Sequence, residues 1–129
     1  VEDDVTDFDA MVAWLGAQLD EDEEAARDAG GSTPSGHWAR EAYGCVIDAK
    51  QRLVVYGEGT PTREGAEHIA RHDPARVLRE VEAKRALLEE TIRPYLNNGQ
   101  TTGNIAWLAL RLLALPYSDR PGYRAEWAP

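Results

Sequence analysis

The chain has 129 residues, 43% hydrophobic and 29% charged, with a net charge of −9 and one cysteine. That balance is ordinary for a folded chain, and the length suits a single domain spanning 1–129 that buries roughly two-thirds of its unfolded surface. It excludes wholesale disorder and an intramolecular disulfide. It also argues against nucleic acid as a direct ligand, because a general binder needs a basic face.

The charge is segregated. Residues 1–28 hold 11 acids against Arg27, whereas the remainder holds 13 Lys and Arg against 12 acids. The opening "VEDDVTDFDAM" has neither a basic start nor an apolar signal core. The longest apolar run, "IAWLALRLLALP", is too short to span a bilayer and contains Arg111. The expectation is a soluble, cytoplasmic protein with no membrane partner, and Cys45 suits a reducing compartment.

In chain order, Val5, Phe8, Val12, Leu15 and Leu19 form one stripe and predict an acidic helix over about 5–29, capped by Thr6 or Asp7. Asp20, Glu21, Asp22, Glu23 and Glu24 follow without interruption, and Arg27 lies one turn from Glu23. The run reads either as a solvated face or as a docking surface for a basic partner. Gly30 and Gly31 end the helix, and "GGSTPSG" is a loop.

"WAREAYGCVI" and "RLVVYG" are rich in β-branched and aromatic residues and flank "DAKQ". They predict a β-hairpin over about 37–57, with Tyr43, Cys45 and Ile47 on one strand face. Cys45 reads as a small packed side chain rather than a nucleophile. A two-stranded ribbon is marginal alone, so helices must cover it.

A helix over 62–72 follows, with Thr60 or Thr62 as its cap and Pro61 in its first turn. A second helix over 74–93 has the stripe Val77, Leu78, Val81, Leu88 and Ile92, with Lys84 and Arg85 beside it as snorkelling bases, as members of an internal ion pair, or as a basic site for an anion. "LNNGQTTGN" reads as a loop whose Asn104 caps a helix over 104–115. That last helix is apolar on nearly every side except Arg111, so it is either central or buried in a dimer. The aromatic tail 116–129 carries Tyr117, Tyr123 and Trp127 and should pack back on the body. The fold class predicted is α+β, predominantly helical, with about four helices packed around one β-hairpin.

The chemistry-bearing residues concentrate in "HIARHDP". His68 and His72 at i,i+4 are a two-ligand metal geometry, but the glutamate of a zinc helix is missing and no third ligand is spaced to join them. The local reading gives each residue a job. Asp73 precedes a proline and is pushed out of the helical region, its carboxylate caps the next helix, and Pro74 fills the first position where no amide is needed.

"EGTPTREGAEHIARHDPARVLREVEAKR" and "LRLLALPYSDRPGYRAEW", with the Leu15–Glu23 "L-x-x-x-L-DEDE" helix and "VVYGEG", resemble a family of small uncharacterised actinobacterial and phage proteins. The resemblance implies a domain of unknown function and carries over no catalytic residue and no cofactor.

Three functions are compatible with these residues. The first is a non-enzymatic protein-interaction or regulatory module, with contacts from Asp20–Glu24, Tyr123 and Trp127 and with an unidentified protein or a second copy as partner. The second is an acidic DNA mimic. The third is a small metal-dependent hydrolase using His68 and His72.

Overall fold

Helical periodicity dominates the chain, and the computed structural model has four α-helices and one three-stranded antiparallel sheet among the described residues. The fold is predominantly helical α+β. The structure describes residues 2–57 and 61–129, and the side chains of residues 2–6 and of Tyr43 lie outside that description. The expected Val5 and Thr6 contributions, the Tyr43 position on a strand face and the Thr60 cap therefore fall outside it. No helix among the described residues is long and apolar enough to cross a membrane.

The chain divides into two compact units. One holds the residues up to Asp20 together with Glu82–Pro129, and the other holds Glu21–Val81.

The Glu21–Val81 unit begins in the last part of α1 (Glu2–Asp28). Gly31 and Gly30 donate back to the carbonyls of Ala26 and Arg27 and close the helix in the Schellman manner. The sheet runs β1 (Trp38–Arg40), β2 (Val46–Asp48) and β3 (Leu53–Val55) in that spatial order. Trp38 pairs with Asp48 and Arg40 with Val46, and the register to β3 shifts between Val46 and Ile47.

The expected first strand is thus two strands, separated by a 3-10 turn at Ala42–Gly44. The break is at Gly44, whose φ of +81° puts a hypothetical Cβ 2.3 Å from the Pro61 carbonyl oxygen, so only glycine fits. Pro61 lies far along the sequence, which is why a period-two pattern reads straight through the turn. At the other end, Asp48 is buried and folds the β2–β3 connection around itself. It accepts the amides of Lys50 (2.9 Å) and Arg52 (3.0 Å) and the Arg52 Nε (3.2 Å).

α2 (Arg63–Arg71) packs on β1 and β2 through the small side chains Ala66 and Ala70, which meet Val46, Trp38, Val55 and Ile69. Its first turn is capped by Thr62, whose hydroxyl accepts the Gly65 amide at 3.0 Å.

In the other unit, α1 buries Met11, Leu15 and Leu19, and Phe8 and Val12 are only partly covered. α1 also starts earlier than position 5, so Asp7 lies inside it and is not a cap. α3 (Pro74–Ala86) gives way to a π-helical stretch at Leu87–Ile92, where the Arg93 amide reaches back five residues to Leu88. Pro94 supplies the cause: it has no amide to close onto Glu90, and its ring would crowd that carbonyl in a regular helix. Leu88 and Ile92 are nonetheless buried.

α4 (Gln100–Ala114) begins four residues before the expected Asn104. Gly99, at φ +81°, turns the chain sharply, and its carbonyl accepts the Gly103 amide at 2.9 Å. The polar composition of "NNGQTTGN" hides that first turn, in which Gly103 is buried against the Leu96 carbonyl.

Candidate functional site

The "HIARHDP" junction lies at the end of α2. His72 closes the helix, its amide donating to Ile69 at 3.1 Å. The His68 and His72 rings lie 4.3 Å apart between centroids, tilted by 39°, and His72 Nδ1 lies 2.7 Å from the His68 carbonyl oxygen. Both rings are exposed. Among the described residues no group of three or more His, Cys, Asp or Glu side chains is placed to hold a metal ion.

Asp73 has two bonds. Its Oδ1 accepts the Arg76 amide at 2.9 Å, at the third position of α3, and its Oδ2 accepts the Trp38 amide at 3.1 Å, at the start of β1. Pro74, at the first position of α3, is buried. Beside the junction, Glu67 accepts from Arg71 and from Arg40, both at 3.1 Å, linking α2 to β1. Those two guanidinium bonds, Arg71 first, hold the Glu67 carboxyl below its usual range.

In the acid run, Asp20 pairs with Arg85, and Glu23 pairs with Arg27 at 3.0 Å. Lys84 donates to the Tyr117 hydroxyl at 2.9 Å. Both bases beside the α3 stripe are thus engaged within their own unit.

The aromatic tail is held by bonds the sequence does not announce. Trp127 is 1% exposed, with Trp14 and Tyr123 rings at 5.5 and 5.8 Å, so its ring is not available as an outward contact. Its indole N–H donates to Asp7 at 3.3 Å, and Arg124 donates to the same carboxylate oxygen at 3.2 Å. Trp14 donates to the Pro121 carbonyl at 2.9 Å. Tyr123 is partly covered. The tail's regular pieces are 3-10 turns at Leu115–Tyr117 and Ala125–Trp127 rather than a capped helix.

The remaining feature is α4. Its inward face carries Gly103, Ala106, Leu110 and Ala114, all buried. Apart from the buried Leu110, several of its larger aliphatic side chains point the other way. Ile105 is 66% exposed, Leu108 46%, Leu112 51%, and Leu115, which continues the helical path, 41%. At 100° per residue these four fall within one stripe opposite the buried one.

Arg111, the one charged residue of the helix, donates to the Trp127 carbonyl at 3.2 Å and to that of Ala128. α4 therefore contributes an uncharged, aliphatic outer surface. Helix α4 is not central in the sense of being covered on all sides. A helix apolar all round was legible in sequence, but which face stays uncovered depends on the small residues that α4 turns inward.

Two further candidates are cavities. One, of about 440 Å³, lies at the N-terminal end of α4 between Asp7, Phe8 and Trp107, with Leu96, Asn97, Gly99, Gln100, Gly103 and Asn104 in the rest of its lining. The other, of about 610 Å³, lies beside β3 at Trp38, Arg52, Leu53 and Val54. Neither gathers a nucleophile with a base. Asp7 is already engaged by Trp127 and Arg124, and Arg52 by Asp48.

Residues 8–129 match the profile of a family of unknown function (DUF6221), and the chain belongs to that family. No curated protein matches the chain, and no solved structure matches it.

Proposed function

We propose that this member of a family of unknown function is a non-enzymatic protein-interaction module, and that the outer face of α4 is its contact surface. One observation carries the reading: Ile105, Leu108 and Leu112 on α4, and Leu115 at its C-cap, stand exposed along one line. Scattered exposed apolar residues are normal, whereas an aligned patch marks an interaction site.

The energetics set the kind of contact. The four exposures together equal about two fully exposed aliphatic side chains, whose burial is worth ~3–6 kcal/mol. Association costs ~4–15 kcal/mol in lost freedom, so the face forms a contact only with a partner that buries matching apolar surface of its own, and that contact is reversible.

The phosphate-mimic reading of Asp20–Glu24 has less behind it, because Arg85 and Arg27 of the same chain already bond Asp20 and Glu23. The hydrolase reading rests on His68 and His72 alone.

A photo-crosslinking residue at position 108 tests the proposal in concentrated cell extract. Protein adducts at that position, lost in the presence of Leu112→Glu, are the expected result. A crosslinker that reacts only with water overturns it.

A further inference from the structure

We infer that the occupant of the α4 face is a second copy of this chain, paired helix to helix as a reversible dimer. The inference rests on the reading of α4 as a contact face and names its partner.

Spacing is the first reason. Ile105, Leu108, Leu112 and Leu115 are separated by three, four and three residues. That is the a/d alternation of a coiled-coil seam, with β-branched Ile and then Leu at its first two places, the combination that favours two strands. A seam of this kind is complementary to another helix of the same period, and each copy offers an identical one, as a two-fold contact requires.

Charge is the second reason. From Thr91 to Ser118 the chain contains no Asp or Glu, the longest acid-free run in a protein of net charge −9. Two copies repel one another over most surfaces and least at this one. A basic partner would find no acid on α4 to recognise, so the face selects by apolar shape and not by charge.

Area is the third. The stripe presents on the order of 350 Å² per copy, within the range of functional patches on monomers. That is less than half of the ~800 Å² per partner of a standard stable interface. The area fits a concentration-dependent dimer rather than a permanent one.

The test is sedimentation of the full chain from about 1 µM to about 1 mM, a span that covers reversible affinities. Average mass should rise from 14.3 kDa toward twice that value. Leu108→Glu and Leu112→Glu should hold it at the monomer mass, with circular dichroism unchanged because both side chains are about half exposed. Leu53→Glu, on the exposed β3 residue, should dimerise like the parent. Added salt should tighten the pair by about threefold or more, since it screens two like-charged copies.

A parent chain that stays monomeric at the top concentration overturns self-pairing, as does a dimer broken by Leu53→Glu and not by Leu112→Glu. The photo-crosslinker at position 108 separates the two claims. Adducts to a different protein from a monomeric chain overturn the second copy and keep the contact face, and no adduct overturns both.

Discussion

The Asp73 carboxylate bonds the amide of Trp38, 35 residues earlier, at 3.1 Å while its other oxygen holds the amide of Arg76 at 2.9 Å. One side chain therefore closes the first turn of α3 and fixes the start of β1. Removing it leaves two amides unsatisfied, in a partly buried place. Asp73→Ala should cost about 2 kcal/mol or more, beyond the ~1 kcal/mol of a simple helix cap. Asp73→Asn, which keeps one acceptor oxygen, should cost less. Urea melts of the three chains check the order, and faster amide exchange at Trp38 in the alanine variant identifies the second bond. An alanine variant as stable as the parent contradicts the account.

Gly44→Ala should be more damaging than its size implies. The new methyl would sit 2.3 Å from the Pro61 carbonyl oxygen at a φ of +81°, so both contact and backbone oppose it. A loss of about 2 kcal/mol or more is expected in thermal unfolding. Gly16→Ala in α1, where nothing lies within 4 Å, should be neutral or stabilising by up to about 1 kcal/mol.

Acid should weaken the fold through two carboxylates. The Arg52 amide does most to hold Asp48 below the usual carboxylate range, with the Lys50 amide and the Arg52 guanidinium adding to it and burial opposing it. Glu67 is held low by Arg71 and Arg40. A carboxylate lowered in the folded state stabilises it above its unfolded pKa, and that contribution disappears as pH falls through the folded value. Unfolding midpoints should therefore drop on acidification below the usual carboxylate range. Asp48→Asn and Glu67→Gln should each flatten that drop. Parallel pH profiles for all three chains would contradict it.

The Tyr123 hydroxyl is buried and has no hydrogen-bond partner among the described residues, although its ring packs on Trp14 and Trp127. A buried hydroxyl without a partner is a cost, so Tyr123→Phe should be neutral or stabilising by up to about 1 kcal/mol. Most aromatic truncations destabilise, which makes a loss of more than about 1 kcal/mol in a melt a clear contrary result.

What sequence reasoning could reach was local. Thr62 lies three residues before the amide it bonds, and Val81, Leu88 and Ile92 of the expected stripe are buried although the helix turns π-helical after Ala86, so propensity and spacing suffice for these. The predominantly helical α+β class follows from such signals. What it could not reach was set by distant partners. Gly44 breaks the strand because of Pro61, and Asp7 looks like a cap until Trp127 and Arg124 arrive from about 120 residues away. Gly99 starts α4 inside a stretch whose composition reads as loop. The apolar character of α4 was plain in the residues. Its outer face became a candidate site only once Gly103, Ala106, Leu110 and Ala114 were seen to fill the inner one.

The central claim is that the outer face of α4 pairs with a second copy of this chain, and hydroxyl-radical footprinting of the purified chain across a dilution series measures it most directly. Oxidation of Ile105, Leu108, Leu112 and Leu115 should be suppressed at high protein concentration and recover on dilution, while the exposed Leu53 on β3 and Tyr56 just after it stay equally reactive throughout. Reactivity of the four α4 residues that does not change with concentration, or protection that falls on Leu53 and Tyr56 instead, would contradict the account.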